Sequence, residues 1–135
     1  MKIRNIKLIN FDGTLSKYAD MRLPQKISYA ITKNMIVISN ELDTYRKALK
    51  KIIDNYEEFQ VKDENGNVEN LPIGIPKVDD AHIKDYLGEI DDLLNVETEV
   101  NIHTIPEDVF DYPDSDKYDP MTAADIIALQ QILCD

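Results

Sequence analysis

A helix is the regular element that fits the spacing of Ile31, Met35, Ile38, Leu42, Tyr45, Leu49, Ile52 and Tyr56, whose steps alternate between four and three residues. That alternation is the period of one helix lying along another, so the pattern predicts a packing seam about four heptads long. Pro24 suits the first turn of such a helix, where a missing N–H costs nothing. No further Gly or Pro occurs up to Glu58. The predicted helix therefore runs from about residue 24 to 58, roughly 50 Å at the usual rise per residue. Asn34 interrupts the seam near its start, and Ser39 and Asn40 lie off it.

A second helix is predicted over about 79 to 95, where Ile83, Leu87, Ile90 and Leu94 repeat the same rhythm behind an Asp79 N-cap. Its acids, among them Asp85, Glu89 and Asp92, would face the bases Arg46, Lys47, Lys50 and Lys51 in an antiparallel helical hairpin. Between the helices, Asn65-Gly66 is a hairpin signal flanked by Val61 and Val68. Pro72, Gly74 and Pro76 then form a stiff connector.

Two segments alternate like strands, about 3 to 9 and 96 to 104, and each is the other's best partner. Asp12-Gly13 should turn the first strand into a short helix over about 14 to 21. Residues 106 to 119 read as an acidic loop. A last helix starts near Pro120 or Thr122, where Thr122 to Asp125 resembles a capping box. Ala123, Ile126, Ile127, Leu129 and Leu133 should form its buried face. The predicted class is α+β, one domain over 1–135: a long antiparallel helical hairpin, with coiled-coil character, a small β-sheet at one end and a C-terminal helix.

Charge narrows the function classes. With 26 acids against 15 bases the net charge is −11, which repels a nucleic-acid backbone. No apolar run approaches the roughly 20 residues that span a bilayer, and no signal-peptide core follows the N-terminus. A single cysteine, Cys134, cannot form an intrachain disulfide and fits a reducing cytoplasm.

One motif imitates an enzyme. Leu8-Ile9-Asn10-Phe11-Asp12-Gly13-Thr14-Leu15 resembles the first motif of haloacid-dehalogenase-type phosphatases, an apolar strand followed by Asp-x-Asp-Gly-Thr. Here the position of the nucleophilic aspartate is Asn10, whose neutral amide cannot form an aspartyl-phosphate. Asp12 alone matches, so a strand-to-helix turn capped by Asp12 is the preferred reading, and a degenerate phosphatase is the remote one. Asp114-Ser115-Asp116 begins like a calcium loop, but Tyr118, Asp119 and the lack of a terminal Glu break the pattern. His82, His103 and Cys134 lack neighbours at ligand spacing. The sequence thus assigns no catalytic, cofactor-binding or metal-ligating residue, and no cofactor. Most of the seven tyrosines are expected at core positions.

The order of pieces carries a resemblance. Lys7-Leu8-Ile9-Asn10 is followed by Leu23-Pro24, Ile27-Ser28-Tyr29-Ala30-Ile31 and Glu41-Leu42-Asp43-Thr44-Tyr45. Asp63-Glu64-Asn65-Gly66-Asn67, Leu93-Leu94 and Val100-Asn101-Ile102 complete the series. This resembles an uncharacterised family of small proteins encoded by tailed phages and prophages of low-GC Gram-positive bacteria. The resemblance implies a virus-encoded, non-enzymatic protein in the host cytoplasm or associated with the virion, and it brings no site residues. The expected function is protein–protein interaction, as an assembly factor or minor structural component, with another phage or host protein or by self-association. The alternative is an acidic inhibitor of a host defence or nucleic-acid-binding protein.

Overall fold

The long apolar seam forms one uninterrupted helix. In the computed structural model, which describes residues 1–135, the elements are β1 (Lys2–Arg4), α1 (Asn5–Tyr18), α2 (Gln25–Asn55), α3 (Ile83–Leu94), β2 (Glu97–Glu99) and α4 (Ala123–Leu133). The fold is α+β, with four helices and one two-stranded antiparallel sheet. As expected, α2 has no break at Ser39-Asn40, and a 3-10 turn over Glu57–Phe59 follows it. The chain divides into two compact units, Met1–Leu42 with Glu97–Asp135, and Asp43–Val96. The helix α2 runs through both.

In the first unit, α2 buries Ile27, Ala30, Ile31, Asn34, Ile38 and Leu42. The predicted pairing of the two strand segments is present, with Lys2 opposite Glu99, Ile3 opposite Thr98 and Arg4 opposite Glu97. Both strands are far shorter than expected. The segment read as a strand over 3 to 9 becomes helical at Asn5, because its buried residues Asn5, Leu8, Leu15 and Tyr18 recur at helical spacing. Ile6, which alternation would bury, is 41% exposed. A helix also satisfies the backbone of residues 5 to 18 internally, where a three-residue partner strand could not. Gly13 is therefore an interior helical glycine rather than a turn, at a cost of about 1 kcal/mol relative to Ala.

The segment predicted as a strand over 96 to 104 leaves the sheet after Glu99. Its backbone groups are then satisfied one at a time. Val100 donates to the Met1 carbonyl (2.9 Å), and Ile105 donates to the Leu133 carbonyl (2.7 Å). Between them the Asn34 side chain takes both polar groups of His103, donating to its carbonyl at 3.0 Å and accepting from its N–H at 2.7 Å. Asn34 is fully buried and in effect supplies one rung of a missing strand.

The helix α4 begins as its sequence predicts. Asp125 N–H donates to the Thr122 hydroxyl (3.1 Å) and Thr122 N–H donates to the Asp125 carboxylate (3.0 Å), a complete capping box. The Tyr18 hydroxyl donates to the same carboxylate at 2.7 Å. That bond, with the Thr122 contacts and the Lys17 charge, holds the Asp125 carboxyl below its ordinary value, while the carboxylate raises the Tyr18 hydroxyl. The inward face is Leu129, Ile132 and Leu133. Ala123 and Ile127, expected inside, are exposed, Ile127 by 55%.

The second unit has its own core of Ile75, Val78, Tyr86 and Ile90, packed by half-buried Leu49, Ile52, Ile53 and Tyr56 of the seam and its extension. The chain returns antiparallel there: Phe59 stacks on His82 and Tyr56 meets Tyr86 edge to face. Two details correct the sequence reading. Tyr86, not Leu87, is the central buried residue of α3, since its ring fills the core and its hydroxyl donates to the Pro76 carbonyl at 2.9 Å. Leu87 is 39% exposed. The expected cross-helix charge pairs are also missing, because Arg46 and Lys50 bond Asp43 and Asp54 on their own helix. One acid does act across: Glu89, with burial and the Asp85 charge, pushes the pKa of the Tyr56 hydroxyl up to about 12.

The turn-rich segment before α3 closes in a small ring. Val61 N–H donates to the Lys77 carbonyl, Lys77 N–H to Glu69 and Glu69 N–H to Val61. Gly66 and Gly74, at φ +80° and +85°, make the two reversals that bring these three backbones together.

Candidate protein-binding face

Because the seam points inward, the opposite side of α2 decides what the first unit offers to others. Residues 29 and 36 are seven apart and so share that outward side. Tyr29 is 57% and Ile36 59% exposed, large apolar groups that the core does not use. Two shallow grooves lie along the same stretch. One, of about 450 Å³, is lined by Gln25, Lys26, Tyr29, His103, Ile105 and Pro106. The other, of about 400 Å³, is lined by Thr32, Met35, Ile36, Ser39 and Asn40.

The first groove is built by the buried asparagine. By holding the backbone of His103, Asn34 sets the His103 ring edge-on against Tyr29, with centroids 5.5 Å apart. Lys33 lies over the Tyr29 ring at 5.6 Å. Tyr29 is thus fixed between two neighbours without being covered, the arrangement of an anchor residue held ready for contact. Charge marks the face as well. From Met21 to Asn40 there is no acid, while Lys26 and Lys33 supply bases on α2, in a chain whose total is −11.

The periodicity of the seam drew attention to the inward side of α2, and nothing in it singled out this outer face. Ile31, Ile38 and Leu42 are almost completely covered within the chain, and Met35, Tyr45, Leu49, Ile52 and Tyr56 are half-buried. The signal for the outer face was the acid-free run with Tyr29 and Ile36 out of seam register.

The residues weighed for chemistry are dispersed. Asn10 and Asp12 lie inside α1, not at a strand-to-helix junction, and Asp12 caps nothing because the helix begins at Asn5. Two residues apart on a helix, their side chains diverge by roughly 200°. His82 is bound at Nδ1 to Asp79 (2.6 Å) and stacked on Phe59 at 3.6 Å. Burial, with Glu107 and Asp135, pushes the Cys134 thiol up, which disfavours the reactive thiolate. No three His, Cys, Asp or Glu side chains converge as a metal site, and no helix is long and apolar enough to cross a membrane.

No protein-family model, no curated protein and no solved structure matches this chain.

Proposed function

We propose that this chain is a non-enzymatic, phage-encoded interaction protein that receives an acidic amphipathic helix of another protein on the outer face of α2. The observation that carries the reading is the exposed pair Tyr29 and Ile36 on a stretch bare of acids and fringed by Lys26 and Lys33. Apolar anchors bordered by lysines complement a helix with apolar residues at i, i+3, i+4 and i+7 and acids beside them. Two copies meeting through this face would oppose lysine to lysine, so a different protein is the favoured occupant. The phage assignment rests on the resemblance in the order of sequence elements.

Acidic amphipathic helical peptides, added to the full chain, should shift the NMR signals of Tyr29, Thr32 and Ile36. Peptides of the same apolar pattern with lysines in place of acids should not. Ile36→Asp should weaken binding by about tenfold or more, the loss typical of an interface anchor. Equal shifts with both peptide sets, or shifts confined to other surfaces, would contradict the reading.

A second reading, an acidic inhibitor of a nucleic-acid-binding or defence protein, draws on a different observation. Asp80, Asp85, Asp91 and Asp92 are all exposed, and none forms a salt bridge. A complex made through these acids would weaken steeply with salt.

A further inference from the structure

The acidic loop left over from the calcium comparison is more than a solvated connector. With its neighbours in the first unit it lines an open pocket of about 550 Å³, within the size range of small-ligand sites. Three aromatic rings line it: buried Phe110, and half-buried Tyr112 and Tyr118, which meet edge to face at 5.5 Å. The Tyr112 hydroxyl is turned to the Met121 sulfur at 3.5 Å.

The lining carries three carboxylates, Asp114, Asp116 and Asp119, against one base, Arg22. Arg22 is already committed. Its guanidinium lies 3.7 Å from Asp119, its N–H donates to the same carboxylate at 2.7 Å, and its carbonyl accepts from Asp119 N–H at 2.8 Å. Asp114 and Asp116 have no ion pair or hydrogen bond from a side chain of the chain. Burial, and then the Asp114 charge, raise the Tyr112 hydroxyl. Lys117 Nζ rests 5.5 Å from the Tyr118 centroid, so that ring already accepts an ammonium.

We propose that this cavity binds an organic cation, an alkylammonium or guanidinium group, against Tyr112 and Tyr118 with Asp114 and Asp116 as counter-charges. Aromatic faces attract cations through their quadrupole, most strongly where water is partly excluded. An anion would meet two uncompensated carboxylates, and a neutral apolar ligand would gain nothing from them. The cation can arrive free or as the lysine or arginine side chain of another protein. This site does not depend on the α2 face.

The test uses the full chain and NMR of the tyrosine rings. Tetramethylammonium and choline probe the free source, and short peptides centred on Arg or Lys probe the side-chain source. The Tyr112 and Tyr118 signals should move with at least one set, and the set that binds more tightly identifies the source. Tyr118→Leu should weaken binding about tenfold. The double variant Asp114→Asn with Asp116→Asn, both exposed positions, should weaken it several-fold and flatten its salt dependence. Three results would overturn the proposal: no ring shifts with any cation, equal binding of a neutral tert-butyl analogue of choline, or unchanged affinity in the double variant.

Discussion

Asn34→Leu is expected to lower the unfolding free energy by about 3 kcal/mol, measured by urea denaturation. The leucine has the same four-heavy-atom skeleton branched at Cγ, so the main loss comes from the His103 N–H and carbonyl, which would lose both side-chain partners at a buried site. Each such unpaired group costs about 1–3 kcal/mol. The adjacent Ile36→Ala, on the exposed side of the same helix, should stay within about 0.5 kcal/mol. A charge variant makes the mechanism visible. In Asn34→Asp a protonated carboxyl can accept from the N–H and donate to the carbonyl of His103, whereas a carboxylate can only accept. Its folded-state pKa therefore lies above the unfolded value of about 3.9. Relative to wild type, the variant therefore keeps its stability below the unfolded value and loses it as pH rises through the folded one. A variant whose stability relative to wild type instead increased from acid to neutral pH would refute the assigned contacts.

Tyr86→Ala should be the most damaging change in the second unit, at about 3–5 kcal/mol. The ring is fully buried between Ile75, Val78 and Ile90 and meets Tyr56 edge to face. Tyr86→Phe keeps the ring and loses only the bond to the Pro76 carbonyl, for about 1 kcal/mol. Leu87→Ala, chosen by the heptad pattern as the buried neighbour, should cost well under the alanine variant of Tyr86, because Leu87 is 39% exposed. Amide exchange of residues 43–96 reports all three. Equal losses for Leu87→Ala and Tyr86→Ala would mean that α3 presents the face the sequence predicted.

The contrast between Tyr86 and Leu87 shows where the sequence is legible and where it is not. Sustained periodicity located α2 to within a few residues, and the Thr122–Asp125 box located the start of α4, because both signals are local. The pairing of β1 with β2 was also recoverable, since few segments could satisfy each other's backbone. What escaped depends on tertiary choices. Residues 5 to 9 alternate like a strand, yet Leu8, Leu15 and Tyr18 find a core only in a helix. Asn34 looks like an interruption of the seam until the backbone it serves, 69 residues away, is known. The candidate face was hidden for the same reason: Tyr29 and Ile36 are ordinary apolar residues until the side of α2 that is buried has been fixed. The cation cavity is assembled by Arg22 and the loop after Phe110, a junction no local pattern encodes.

The chain covers Ile31, Ile38 and Leu42 of its own seam, and the proposed function keeps the outer face of α2 for a different protein. The solution mass of the purified chain, followed by light scattering over a wide concentration range, tests this most directly. A single species of 15.5 kDa is the predicted result. A stable species of twice that mass, dispersed by Leu42→Asp or by Ile36→Asp, would contradict it, the first by showing the seam shared between copies and the second by showing the face used for self-association.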